Sequence, residues 1–551
     1  MLSPLADFLA VAGAAPTHAF RSGEFPLHRP AMALLRSVAT VGGYTLISRV
    51  LGFVREMLTA AFLGASPVSD AFFVALRLPN MFRSLFAEGA FSAAFVPLFA
   101  GMIAKDGRIA AIAFAEDVLA VLLTALCLFL LFGETVTPFI LQVIAPGFAA
   151  EPGKFALAVE LTRIMFPYLV FISLVSFLGG MLNSVERFAA TAATPALLNI
   201  FLIAALVFVR PVSGVALAWA VTGAGLAQFL WLMLSCRQAG LVLALPRPRL
   251  TPAVRRLLRI MLPGVFGSGV VQVNLLVSTA IASLLPTGAV SYLSYADRLN
   301  QLPLALVGIA VGTAILPPLS RQVRTGDDAG AVHTQNRGLE LALLLTLPAA
   351  VALAVAAHPI LAAVYQHGAF GAAQTAATAP TLAAYAIGLP AFVLVKVMAP
   401  GFFARHDTAT PVKIAAVTVA VNIVLTVTLG IILPFAQIGI ALATSLAGWV
   451  NALSLVVMLH RRGHFAIDHQ ARRRLPRIAL AALGMGVILV VAEEALAPLL
   501  AGRLALQLTG VGALVGGGLA AYAILAFLSG AADWQDLKRR LRRRSAAPAK
   551  T

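Results

Sequence analysis

The chain has 551 residues, of which 60% are hydrophobic and 11% charged, against about 45–50% apolar and about 25% charged in an ordinary soluble domain. That balance excludes a soluble enzyme. The formal charge of +18, from 40 Lys+Arg against 22 Asp+Glu, would suggest a nucleic-acid partner in a soluble chain. Here no soluble segment is left over to carry one, so nucleic acid is not an expected partner and membrane lipids are.

In chain order, residues 1–31 show neither a basic n-region nor an apolar h-region, so a cleaved secretory signal is not expected. They read as a poorly ordered N-terminal extension, and Met32 opens the run MALLRSVATVGGYTLISRVLG like a natural start. From about residue 36, apolar runs long enough to cross a hydrocarbon core of roughly 30 Å recur to residue 530. The fold class expected is an all-α polytopic membrane protein with about 14 transmembrane helices. Approximate limits are 36–62, 70–100, 111–145, 155–186, 192–209, 212–236, 255–285, 289–320, 338–366, 376–404, 411–433, 438–460, 477–500 and 506–530.

Positive charge tests this reading. With the N-terminus inside, the inner breaks and tails hold 30 of the 40 Lys+Arg, including the run KRRLRRR from Lys538 to Arg544. The outer breaks hold three, Lys154, Arg210 and Arg503. This asymmetry puts both termini in the cytoplasm and favours an even number of spans. The remaining seven lie well inside spans, charges at span ends being counted with the adjoining breaks: Arg49, Arg55, Arg77, Arg83, Arg163, Arg298 and Lys396.

A weak internal repeat has an offset near 220 residues. GVALA at Gly214–Ala218 returns as GIALA at Gly439–Ala443, Ala193-Thr194-Pro195 as Ala409-Thr410-Pro411, and Arg77-Leu78 as Arg298-Leu299. Two six-helix lobes in a parallel pseudo-repeat follow, residues 32–236 and 237–460, with spans 13 and 14 in 461–530 and a basic cytoplasmic tail in 531–551. Facing lobes of this kind suit alternating access, with a site near their interface.

A charge at bilayer depth costs at least a few kcal/mol, so it normally faces a bundle interior or a water-filled cavity. At about 100° per residue, Asp70, Arg77, Ser84, Glu88 and Ser92 share one stripe of span 2, with Pro79 inside it. Arg83 projects off that stripe. Span 1 carries Arg49 and Glu56 on one face and Ser48 and Arg55 on the next, and Arg49 with Glu56 is a candidate helix lock. Span 8 carries Ser291, Ser294, Arg298 and Gln301, a stripe continued by Gly308 and Gly312. Guanidinium forks suit phosphate, which they bind bidentately without losing charge, so the expected ligand is a phosphate or diphosphate. Arg163 and Lys396 lack polar companions at helical spacing and read as snorkelling residues.

Asn183, Asn199, Asn274, Asn422 and Asn451 read as hydrogen-bonding between helices. Cys127 and Cys236 lie in apolar stretches and support neither a disulfide nor a metal site. No phosphate loop, HExxH pair or nucleophile elbow occurs, so neither an enzyme nor an ATP-driven pump is expected, and no cofactor or metal.

The runs SRVLGFVRE (Ser48–Glu56), DAFFVALRLPNMFRSLFAEGAFSAAFVPLFA (Asp70–Ala100), YADRL (Tyr295–Leu299) and APGFFARHDTATPVKI (Ala399–Ile414) resemble the MurJ (MviN) family of bacterial lipid II flippases. The resemblance runs from about residue 32 to about 530. It implies the MOP (multidrug/oligosaccharidyl-lipid/polysaccharide) exporter fold, with spans 13 and 14 forming a lipid-facing groove for a polyprenyl tail. It also implies that Arg49, Arg55 and Arg298 bind the diphosphate and head group. Glu56, Asp70, Arg77, Arg83, Glu88 and Asp297 would be supporting cavity charges.

The chain departs from the family pattern at Ser84 and Gln301, where relatives often carry a second arginine and a glutamate. Some relatives are thought to hold sodium with acidic residues in the second lobe, but no acid lies well inside spans 7, 11 or 12. Sodium coupling is therefore not expected, and membrane potential acting on a cationic cavity is the substitute.

The implied function is movement of lipid II, the undecaprenyl-diphosphate-linked disaccharide-pentapeptide, from the inner to the outer leaflet of the cytoplasmic membrane. Lipid II and membrane lipids are its partners, and cell-wall synthesis proteins are candidate ones. The alternatives are a flippase for another polyprenyl-diphosphate-linked oligosaccharide, a cation-coupled drug exporter of the same superfamily, and a non-transporting scaffold. The drug exporter would need an acidic cavity, against which the arginines count.

Overall fold

The computed structural model describes residues 31–84 and 90–531, with the side chains of 31–39, 90, 263, 265–268, 270–271 and 309–314 outside the description. Glu88, the N-terminal extension and the basic tail from Lys538 to Arg544 lie outside the described residues. All regular structure among the described residues is helical. The helices are α1 (Ala31–Leu63), α2 (Pro67–Phe82), α3 (Ala90–Ile144), α4 (Pro152–Ser184), α5 (Phe188–Phe208), α6 (Gly214–Gln238), α7 (Pro252–Ser283) and α8 (Ala289–Arg324), followed by α9 (Asp328–Val355), α10 (Ala357–Tyr365), α11 (Ala372–Phe403), α12 (Ala409–Val427), α13 (Ala436–Arg461), α14 (His469–Leu500) and α15 (Leu504–Leu528).

Ten described helices are long and apolar enough to cross a membrane. They correspond to expected spans 3–6 and 9–14. Spans 1 and 8, outside that set, hold the intramembrane arginines 49, 55 and 298 and the acids beside them. α3 is two helices in one, because Gly107 adopts φ 83° and ψ 172° inside it. The turn falls in Lys105-Asp106-Gly107-Arg108, the charged break expected between spans 2 and 3. Only glycine takes that backbone region routinely.

Helix starts follow local chemistry. Ser66 and Ser69 cap α2 reciprocally, each backbone N–H donating to the other's hydroxyl at 2.8 and 3.3 Å. Pro67 occupies the first turn, where its missing N–H costs nothing. Asp327, Asp468 and Ser213 cap α9, α14 and α6 through side-chain oxygens.

The described chain forms two compact units. The first contains the chain up to Leu58 with Ala75–Thr137 and Val159–Ser268; the second contains Thr59–Val74, Pro138–Ala158 and the chain from Gly269 onward. In the first, Phe95 packs against Phe91, Phe99, Phe114 and Phe177 with ring centroids 5.2 to 5.9 Å apart. α6 is tied to α5 by Gln228 Nε2 donating to the Thr194 carbonyl at 3.0 Å and Trp231 Nε1 to the Ala190 carbonyl at 3.1 Å.

In the second unit α11 is buried along most of its length and forms the core with α8, α9 and α13. α14 and α15 pack together on Ala481, Met485, Leu489, Leu514 and Tyr522. Tyr522 donates to the Leu344 carbonyl at 2.8 Å, tying α15 to α9. At the start of α14, Arg337 donates to both Asp468 oxygens and to Glu340 Oε2 at 2.5 to 2.8 Å, while Arg474 reaches the same Glu340 oxygen at 3.4 Å. A guanidinium fork satisfying two carboxylates is a rigid joint between α9 and α14.

Candidate functional site

In the first unit the polar residues of α1 meet α5. Arg55 donates from Nη1 to Asn199 Oδ1 at 2.9 Å and from Nη2 to Glu56 Oε1 at 2.5 Å. Asn199 is buried, and its Nδ2 donates to the Ser48 carbonyl at 2.9 Å, which turns its oxygen toward the guanidinium. Gly52 faces this amide, and a Cβ there would meet Asn199 Nδ2 at 3.5 Å, an ordinary van der Waals contact. Glu56 is 5% exposed and takes Arg55, not Arg49, as an ion-pair partner. The expected Arg49–Glu56 lock is thus replaced by an Arg55–Glu56 pair. The reason is tertiary: Asn199 holds one edge of the Arg55 fork, which leaves the other over the neighbouring carboxylate. Arg49 is exposed, and among the described residues no hydrogen bond or ion pair is found for it. Arg77 and Arg83 are half-buried.

The second unit holds Asp70, which is 1% exposed. Its Oδ2 accepts from the Gly288 N–H at 2.8 Å, and its Oδ1 accepts from the Ser291 N–H at 3.0 Å and hydroxyl at 2.6 Å. Lys154 Nζ lies 3.0 Å from Oδ2 and is itself 3% exposed. The carboxylate therefore caps α8 from another helix, where the first-turn N–H groups have no partner of their own and the dipole favours an anion. Thr287 bridges Lys154 to Glu151, accepting from the first at 3.1 Å and donating to the second at 3.0 Å. Tyr295 closes the cluster below, donating to the Gly64 carbonyl at 3.0 Å and packing on Phe73, Tyr365 and Phe370. Gly64 has φ +60°, and a Cβ on it would sit 2.6 Å from the Ala369 carbonyl, so this turn needs glycine.

Sequence reasoning grouped Asp70 with the charges of an open cavity and Ser291 with the stripe of Arg298. The structure buries the two against one another, with Lys154 on the carboxylate. The available signal was charge sign: Lys154 is one of only three positives expected outside, and such an exception invites a search for a buried acid.

Farther along α8, Arg298 is exposed and Asp297 half-buried, with Gln301 Nε2 donating to Asp297 Oδ2 at 2.5 Å. A cavity of about 340 Å³ opens there, lined by Asp297, Asn300, Gln301, Tyr385, Lys396 and Thr444 among others. Lys396 of α11 does not stand apart from other polar groups. It crosses α8 at Gly308, where a Cβ would lie 2.6 Å from its Nζ. Its polar companions sit on a different helix, so spacing along its own could not reveal them.

Among the described residues no group of three His, Cys, Asp or Glu is placed to hold a metal ion. The polar contact between α7 and α12 is neutral, Asn422 Nδ2 donating to Asn274 Oδ1 at 2.7 Å. Outside the spans, Asp407 accepts from the Thr410 N–H at 2.9 Å and from the Arg462 guanidinium at 2.5 Å. These bonds hold its carboxyl well below the usual carboxylate range and close the loop between α11 and α12.

The lipid II flippase MurJ family matches residues 59–509, most of the chain. The chain belongs to the MurJ family. The probable lipid II flippase MurJ of Rhizobium meliloti (strain 1021) is 46% identical over 525 residues, covering 94% of this chain and 98% of that protein. A solved structure of lipid II flippase MurJ in an inward closed conformation is 25% identical, with a TM-score of 0.75 over 90% of this chain and 99% of its own. An inward-facing multidrug resistance MATE family transporter of the MOP superfamily, 13% identical, has a TM-score of 0.62 over 77% of this chain and 97% of its own, and shows the shared fold. With ten apolar helices, this MurJ family member is a multi-pass membrane protein with a transporter fold. The MurJ match spans the Asp70, Lys154, Arg298 and Lys396 positions and begins after Arg49 and Arg55.

Proposed function

We propose that the protein moves lipid II, the undecaprenyl-diphosphate-linked disaccharide-pentapeptide, from the inner to the outer leaflet of the bacterial cytoplasmic membrane by alternating access. The observation that carries this reading is the relationship to the MurJ family over nearly the whole length of the chain and of its relatives. The distribution of Lys and Arg supports cytoplasmic termini, so the inner breaks meet the side where the precursor is made.

Arg49 and Arg298, both exposed, are the guanidinium groups that reach the diphosphate. Arg55, with its fork already held by Asn199 and Glu56, acts by positioning α1 and by its field. The polyprenyl tail stays in lipid beside α14 and α15, whose outer faces expose Leu480, Val487, Leu519 and Ile524. Rocking of the pseudo-repeat lobes, residues 32–236 and 237–460, then carries the head group across. Outward opening around α8 requires Asp70 to release Gly288 and Ser291, while Lys154, in the same lobe as Asp70, stays with it.

The test uses cells depleted of their own flippase and complemented with this protein. Externally added enzyme that cleaves the lipid II head group should reach the precursor with wild type, and with Arg298→Ala at equal expression the accessible fraction should fall at least about tenfold, the cost of one charge-assisted hydrogen bond. No restoration by correctly inserted wild type would refute lipid II as the substrate. Full restoration by Arg298→Ala would remove that residue from the site.

Membrane potential is the proposed driving force, because the α7–α12 contact is an amide pair and not a carboxylate site. Replacing sodium by choline is expected to leave the accessible fraction within about twofold, whereas collapsing a potential worth about 2.3 kcal/mol per charge per 100 mV should abolish most of it. A large loss in choline would show the driving ion to be sodium.

A further inference from the structure

The end of α1 and the first turns of α2, Thr59–Val74, are part of the second unit. Asp70 anchors this segment to α8, and a second anchor lies at the turn between α10 and α11. There the Ala369 N–H donates to the Ala61 carbonyl at 2.7 Å, and the Ala65 N–H donates to Gln374 Oε1 at 2.9 Å. The last four carbonyls of a helix have no partner within it, so Ala369 caps α1 from outside as Asp70 caps α8. The approach is backbone against backbone. Gly368 has φ +59°, and a Cβ on it would sit 2.3 Å from the Ala61 carbonyl oxygen, while one on Gly64 would sit 2.6 Å from that of Ala369. Neither position has room for a side chain. Gly368 and Ala369 are exposed, so water can replace these bonds when the segments part, and each contributes only modestly to holding them together.

The two anchors are mechanically joined on both sides. Ser66 and Ser69 cap α2 across the intervening turn, which ties Gly64 to Asp70, and the Ser69 and Ser291 hydroxyls lie 2.8 Å apart. On the receiving side, Tyr295 of α8 packs on Phe370 of the α10–α11 turn, with ring centroids 5.4 Å apart, and donates to the Gly64 carbonyl at 3.0 Å. Packed elements of this kind pass between discrete arrangements and do not deform continuously. Anchors joined in this way release together.

We propose that the α10–α11 turn is the second jaw of an outer latch in which Gly368 and Gln374 are positioning residues for transport, holding the end of α1 whenever Asp70 caps α8 and releasing it in the same step. The inference rests on the alternating-access reading and deepens it: each of these contacts joins a residue of the lobe at 32–236 to one of the lobe at 237–460. In the topology set by Lys and Arg, the breaks after spans 1, 7 and 9 that meet here all lie outside.

Backbone hydrogen exchange in the purified full-length protein, without substrate, tests it, since exchange reads the population in which a bond is open. The amides to follow are those of Gly288 and Ser291, which donate to Asp70 and lie on a different anchor from residue 368. Gly368→Ala should raise their exchange about tenfold, a rise for which an open state populated at about 0.1–10% leaves room. Gln374→Ala removes one bond and adds no clash, and should give the same pattern at about two- to tenfold. Gly326→Ala is the control: φ there is +72° and no atom lies within 4 Å of where a Cβ would stand, so it adds backbone strain alone and should leave these amides unchanged. A rise confined to the peptides around 61–65 and 366–374 overturns the coupled latch, as does no rise, or an equal rise in Gly326→Ala. If Gly368→Ala raises exchange throughout the protein it has unfolded, and Gln374→Ala decides by the same criterion. No lipid is present, so this outcome is independent of the cell-surface test of lipid II, and either reading can fail without the other.

Discussion

Lys154→Met is expected to destabilise the second unit by about 3 kcal/mol, the low end of the cost of breaking a buried ion pair. Lys154 and Asp70 are 3% and 1% exposed as side chains, so water cannot replace the lost ammonium. The effect stays at the low end because Asp70 keeps three other bonds, from the Gly288 N–H and from the Ser291 N–H and hydroxyl. Asp70→Asn should cost as much or more, since it weakens the ion pair and the cap on α8 together.

The double variant separates these contributions. If the pair is direct, Asp70→Asn with Lys154→Met is less destabilised than the sum of the single changes by about 1 kcal/mol or more. Thermal unfolding of the detergent-purified protein reads all three. Additivity within about 0.3 kcal/mol would mean that the two charges do not act on one another.

The two arginines of α1 should behave differently although they lie six residues apart on one helix. Arg49→Ala is expected to reduce lipid II accessibility at the cell surface by at least about tenfold while leaving unfolding unchanged, because no bonded partner is lost with it. Arg55→Ala should reduce both, with a destabilisation of about 2 kcal/mol or more, since it takes the guanidinium from buried Glu56 and from Asn199. Arg55→Lys should not restore stability, because a single ammonium cannot span two partners as a fork does. Equal effects of the two alanine variants on stability would contradict this division of roles.

Much of this molecule is legible in one dimension because the bilayer simplifies the problem. Backbone groups in lipid must be satisfied within their own segment, so the apolar runs read directly as helices and the charged break at Lys105–Arg108 as the turn at Gly107. The arginine-bearing stripes of spans 1 and 8 were legible for the same reason: a charge at that depth needs a polar environment. Helical spacing places such groups on a face, and nothing more.

Which group meets which was another matter. Asp70 lies 84 residues from Lys154 and 221 from Ser291, and the contact of a carboxylate with a foreign helix N-terminus leaves no trace in local periodicity. Asn199 of α5 fixes Arg55 and leaves Arg49 open, a distinction that spacing along α1 does not carry. Lys396 had no companion on α11 and acquired its neighbours from α8. Periodicity along the chain sets the direction of each side chain, because it follows from backbone geometry that every residue shares. The pairing of those side chains depends on which helices are packed against one another, and that is settled by burial and hydrogen bonding between segments far apart in the sequence.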